Sequence, residues 1–262
     1  MSKYQNINVS TYQRKSLRYA ILSAALSLAL TGCTVYHPQA VDIPLINHAG
    51  DTRLDASLSM SAWIIPDAFN LNATVSHGFN DWFSGQAHLN YGGDNFYGQV
   101  APGAYFPLGT HSVLELYAGY GFGGVDRENG DDSENYNDGS PSRKTSDFSG
   151  RYHLPFLQAN FGWHDLTKAH LDIGFGLKAG AFLPDFEYHA YDENGAEILS
   201  KRETYNTDNF LLEPQIMFRL GGESVRFGVK VGVAILSDWV NDDARGMIYD
   251  FVTASVGLTF TL

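Results

Sequence analysis

Eight charged side chains stand at alternate positions of otherwise uncharged runs: Asp55, Glu115, Asp172, Lys178, Glu213, Arg219, Arg226 and Lys230, four of each sign. Each shares its face with Gly, Ser, Thr, Asn or Gln, while the opposite face is apolar. In a closed interior unpaired charges are costly, so this balance predicts a mutually paired network. Such a network either fills the interior or relays protons or solutes through it. A hairpin centred on Gly222 and Glu223 would set Arg219 opposite Arg226, a like-charge pair that Asp172 would relieve, with Glu213 and Lys230 as near-diagonal neighbours. His88 and His170 share the polar face on different strands and lack a third ligand, so no metal centre is expected. Asp185, His189, Asp242 and Asp243 fall in connections where an acid–histidine hydrolytic pair could sit. Their spacing matches no motif, and neither an enzyme nor a cofactor is expected.

The elements that would position these groups are strands. In "AHLDIGFGLKAGA", residues 169–181, the odd positions from Ala169 to Ala181 are apolar and the even positions are His, Asp, Gly, Gly, Lys and Gly. The same period of two appears in runs near 54–62, 69–76, 83–91, 95–106, 113–122, 155–163, 212–220, 225–233 and 252–262. Ten runs of about nine residues or more fit the length that crosses an outer membrane at a tilt. A soluble barrel would turn the apolar face inward and carry Lys and Glu outside. Here the polar face is mostly Gly, Ser, Thr, Asn and Gln, and Trp82, Tyr91, Phe106 and Trp163 stand near strand ends like interfacial girdles. The expected fold is all-β: a closed antiparallel up-and-down transmembrane β-barrel of about ten strands, over residues 51–262. Pro102, Pro155 and Pro214 run against it, because each removes a ladder donor.

Connections alternate in length. "GFND", "PLGT", "HDLTK" and "GGES" are short and read as periplasmic turns, whereas 124–149 and 182–208 are long and read as external. The acidic stretch 126–147 lacks apolar anchors and the ligand order of a calcium loop, so it reads as solvated. The second loop reads as two β-prone arms around Asn194 and Gly195, extending its flanking strands and carrying Tyr188, Tyr191 and Tyr205 as a contact surface.

Residues 1–32 hold Lys3, Arg14, Lys15 and Arg18, no acid, and an apolar run from Tyr19 to Leu30. Twelve residues are too few to span a membrane and suit a signal peptide. Cys33 is the sole cysteine, so it forms no internal disulfide. The "LTGC" ending at Cys33 resembles the lipobox of bacterial lipoproteins, which implies cleavage before Cys33 and a diacylglyceryl group on its thiol. That lipid is the one covalent group expected. Thr34 stands where an inner-membrane retention signal would put Asp, which favours the outer membrane of a Gram-negative cell. Residues 33–50, with Pro38 and Pro44, read as a lipidated periplasmic tether. Lipobox, barrel pattern and the tether residues Tyr36, Pro38, Pro44 and Leu45 resemble uncharacterised barrel lipoproteins of the Bacteroidota.

The formal charge of −12 becomes −16 without the leader, which disfavours nucleic acid. The leading expectation is an outer-membrane barrel lipoprotein with a structural or surface-interaction role, meeting an extracellular or envelope protein through its external loops. The alternatives are a narrow transport pore and, third, an outer-rim hydrolase resembling omptin-type surface proteases.

Overall fold

The computed structural model describes residues 34–36, 41–60, 69–131, 143–192, 195–237, 248–249 and 252–262. Ten strands form the barrel: β1 (Thr52–Met60), β2 (Phe69–Gly78), β3 (Phe83–Gly92), β4 (Asn95–Pro107), β5 (Ser112–Asp131), β6 (Arg143–Trp163), β7 (Asp172–Ala190), β8 (Asn209–Gly221), β9 (Val225–Val233) and β10 (Val252–Thr261). Each pairs antiparallel with the next. β10 closes on β1 in the register Ala254↔Met60 to Thr261↔Arg53, so the sheet has no free edge.

Successive side chains alternate between lumen and exterior, as the pleat requires. The exterior keeps its apolar residues uncovered. Leu58 on β1, Leu89 on β3, Val100 on β4, Leu157 on β6, Phe218 on β8 and Val256 on β10 are all exposed, and the other strands contribute likewise. A belt of this kind running round every strand would not be tolerated in water, and it removes the soluble barrel from consideration. Trp82, Tyr91 and Phe106 are exposed near strand ends, and Phe161, Trp163 and Phe175 form a chain of edge-on ring contacts at the short-turn rim.

The prolines are accommodated by local lapses in pairing. The β4–β5 ladder skips between Val100↔Tyr120 and Gly103↔Tyr117, around Pro102. The β6–β7 ladder skips between His153↔Leu183 and Phe156↔Gly180, around Pro155. Pro214 stays in register, opposite Leu177.

Three expectations are corrected. The connection expected at 124–149 is largely strand, since the β5–β6 ladder continues to Asp131↔Arg143. At 20, 21 and 19 residues, β5, β6 and β7 are about twice the length of β2 or β3, so one side of the wall rises well past the membrane. The second expected loop does extend β7, and Glu203–Tyr205 folds back on it with Phe186↔Tyr205 in register. Gly195, at φ +77°, makes the turn there, while Asn194 lies outside the described residues. Strand seven begins at Asp172, so His170 sits in the preceding turn at φ +48° and hydrogen-bonds Asp165 rather than lining the lumen.

The tether expectation changes most. Residues 41–46 are irregular but not periplasmic: Val41, Asp42, Ile43, Leu45 and Ile46 are buried inside the barrel. Cys33, Asp242 and Asp243 lie outside the described residues.

Candidate functional site

All eight charges of the expected network are buried in the lumen. Two more join them, Asp42 and Arg53, so the buried charged residues among those described are five acids and five bases. They do not form one network. They separate into three clusters, the carboxylate of Glu115 and the guanidinium of Arg53, which donates to Thr261 Oγ1 and the Leu45 carbonyl, each tied to the segment 41–46 or to the wall beside it.

The first cluster lies at the short-turn end. The β8–β9 pairing is shifted by two residues from expectation: Arg219 faces Gly228, and Arg226 faces Gly221. The two guanidiniums therefore reach the same carboxylate without opposing one another. Arg219 Nε donates to Asp172 Oδ2 at 3.1 Å, and Arg226 Nη1 lies 2.6 Å from both Asp172 oxygens. Arg226 Nη2 donates to Asp165 Oδ1 at 2.8 Å. His170 and His164 also bond Asp165, at 2.6 and 3.1 Å. Burial alone would raise the Asp165 carboxyl, but the bonds from His170 and His164 and the charge of Arg226 outweigh it and hold it at about 2.

Lys230 centres the second cluster, with Nζ 3.1 Å from Asp42 and 3.0 Å from Asp55. Ser76 donates to Asp42 at 3.1 Å and Thr259 to Asp55 at 2.8 Å. In the third, Lys178 faces Glu213 across the β7–β8 ladder at 3.6 Å. Its ammonium donates to Gln99 Oε1 at 2.9 Å and lies 4.9 Å from the Phe156 ring centroid. Glu213 thus pairs with Lys178 rather than with Lys230. Glu115 has no ion-pair partner among the described residues and accepts from Ile46 N–H at 2.7 Å and Asn160 Nδ2 at 3.0 Å.

The inner segment is held mainly through its backbone. Gln215 Oε1 accepts from Val41 N–H at 2.6 Å. Gln158 and Asn160 donate to the Asp42 carbonyl at 2.7 and 3.1 Å, Arg219 to that of Pro44 at 3.0 Å, and Arg53 to that of Leu45 at 3.4 Å. An irregular chain inside a membrane barrel needs such partners, because water is not there to supply them. The wall is shaped for it as well. A Cβ on Gly174 would fall 2.7 Å from Ile43 Cγ2, and one on Gly176 would fall 3.0 Å from Val41 Cγ1. The inward glycines of strand seven make room for the plug.

Above this level the lumen changes character. Tyr97, Tyr152, Leu154, Phe156, Phe182 and Phe186 form an apolar cluster under the long strands, with Tyr97 and Tyr152 stacked at 6.0 Å. On the outside of the same extension, His189 Nδ1 and Nε2 lie 2.6 and 3.2 Å from Glu197 and Glu187, and Arg202 reaches Glu187 at 3.0 Å. The Glu197 bond raises the imidazole, and the His189 bond lowers the Glu187 carboxyl. Asp185 is four residues from His189 along one strand face, about 13 Å at 3.3 Å per residue, so the structure does not bring these two rim candidates together. His88 bonds Thr74 at 2.8 Å and does not meet His170.

A closed antiparallel barrel with an apolar exterior and a polar, occupied lumen is the architecture of an outer-membrane β-barrel. Among solved structures the chain is similar to a KdgM porin, at 11% identity over 80% of this chain and 99% of that one, with a TM-score of 0.37. It is also similar to OmpT, an outer membrane protein of Vibrio cholerae, at 8% identity over 86% of this chain and 100% of that chain, with a TM-score of 0.19. Likeness this remote carries no inference about activity. No protein-family model and no curated protein matches the chain.

Proposed function

We propose that this is an outer-membrane lipoprotein, acylated at Cys33, whose sealed barrel is a scaffold for surface interaction through the raised β5–β6–β7 wall and its hairpins. One observation carries the reading: residues 41–46 occupy the lumen and are bonded to side chains of β1, β5, β6 and β8. A lumen filled by its own chain leaves the external extension as the working surface. Its partner is an extracellular or envelope protein, met in part through Tyr191 beside the His189–Glu197 clamp; Tyr188 and Tyr205, expected on the same surface, pack instead against the buried ring cluster. Among the described residues no arrangement of the rim candidates favours the hydrolase reading.

A narrow polar path is the second reading, and a specific feature favours it. Ser57, Asn70, Gln86, His88, Thr253 and Ser255 line the consecutive strands β10, β1, β2 and β3, and each has a buried polar atom without a hydrogen-bond partner among the described residues. Such atoms call for water, and a water file beside the plug would conduct. Planar-bilayer recording of the purified protein separates the two. The scaffold reading expects no stable conductance; steady single-channel steps would overturn it in favour of the path.

A further inference from the structure

The four turns at 79–82, 108–111, 164–171 and 222–224 are short and lie at one end of the barrel, where Thr52 N also meets the Leu262 carbonyl at 3.4 Å. Short turns mark the periplasmic end of barrels of this class, so the opposite rim is external. The inner segment starts at the periplasmic end. Asn47 and His48 N–H bond Asp51 there, and Ile46 is held by Glu115 three residues into β5. Traced backward, the chain climbs: Pro44 reaches Arg219, Asp42 reaches Gln158, and Val41 reaches Gln215. Gln215 faces Gly232, one residue from the external end of β9.

A second observation continues the path. Thr34–Tyr36 pairs with Ile248–Tyr249, which lies in the β9–β10 connection on the external side. The pairing is parallel. Ile248–Tyr249 lies in the connection that precedes β10, whose first residue is at the external rim, so Thr34–Tyr36 is held at that end of the barrel. Five residue steps separate Tyr36 from Val41, about 16–18 Å of extended chain, ample for the remaining height.

We propose that the chain enters its own barrel from outside: the N-terminal segment threads the lumen from the external rim to the periplasmic end, and Thr34 is displayed at the cell surface. If Cys33 carries lipid, a clause that rests on the preceding reading, the anchor is presented externally rather than from the periplasm. A lipid-first periplasmic tether would put Thr34 at the other end, where it could not pair with Ile248.

The test separates threading from acylation. The mature chain, with Cys33→Ala, is exported behind a conventional secretory leader, so that one introduced thiol is present. A membrane-impermeant maleimide is applied to intact and permeabilised cells carrying Thr34→Cys, with Ser200→Cys as the external control and Glu223→Cys as the periplasmic one; both control sites are exposed. Threading predicts that Thr34→Cys labels in intact cells to the same extent as Ser200→Cys. Labelling only after permeabilisation, as for Glu223→Cys, would overturn it. A buried thiol that labels in neither state is resolved by Thr34→Cys with Ile248→Cys: an oxidative cross-link in outer-membrane material supports threading, and its absence counts against it. Loss of acylation in the native chain, with threading intact, would remove the lipid reading alone.

Discussion

Two stretches of the same strands obey opposite rules. Along the lower part of β7, Ile173, Phe175 and Leu177 point outward and Asp172, Gly174, Gly176 and Lys178 point inward. Above Ala181 the pattern inverts: Asp185 and Glu187 face outward, and Phe182 and Phe186 are buried inside. β6 does the same at matching height, with Leu157 out and Gln158 in below, Arg151 out and Tyr152 in above. The lower barrel is sorted by lipid and the upper extension by water, so the inversion marks where the hydrocarbon ends. The lower interior must then be held by charges and directed hydrogen bonds, and the upper interior by ring packing.

Three substitutions probe that contrast, in order of expected effect. Asp172→Ala leaves two buried guanidiniums without their shared carboxylate and should cost about 3–5 kcal/mol, read as a lower urea midpoint for loss of the compact unboiled gel form. Phe182→Ala opens a cavity in the upper cluster and should cost about 3 kcal/mol. It should raise protease cutting of the external hairpins while the lower barrel keeps its heat-modifiable mobility. Gly176→Val drives a side chain into Val41 and Ile43 and should cost about 1–3 kcal/mol, with the plug segment becoming accessible to protease. Equal damage to both halves by either of the last two would erase the distinction.

The smallest effects are pH-dependent and have opposite signs at the two ends. The Asp165 carboxyl is depressed to about 2, so its contribution is present above its unfolded value near 4 and is lost as pH falls through 2. His189 is raised, so the clamp to Glu197 and Glu187 is fully present below the unfolded value near 6.5 and is lost as pH rises through the folded one. The hydrogen-exchange protection factors of residues 186–190 and 203–205, which remove the base-catalysed rise of intrinsic exchange, should therefore fall from pH 6 to pH 8 in wild type, and His189→Gln should remove that fall. An unchanged wild-type profile would mean that the clamp does not order the hairpin.

The barrel was legible because lipid imposes a strict period of two, and all ten strands show it. The inward charges were legible for the same reason. Their partners were not: the two-residue shift of the β8–β9 pairing, which sets Arg226 opposite Gly221, depends on where the "GGES" turn closes. The upper strands were missed because, beyond the membrane, Phe182 and Phe186 are apolar on the phase that lower down is polar. That change of phase in "AFLPDFEY" is the signal that could have located them. The plug had no local signal, since "VDIPLI" is defined by glycines and amides from strands far along the chain. Glycine at both inward positions 174 and 176 was the available hint that something must pass close to that wall.

The central claim is that residues 41–46 belong to the lumen, and the most direct measurement is a disulfide across it. In the full chain, Ile43→Cys paired with Gly174→Cys should cross-link on mild oxidation of outer-membrane material, giving a linked peptide pair by mass spectrometry in the folded, heat-modifiable form. A folded barrel with both thiols free and reactive toward soluble maleimide would contradict the account.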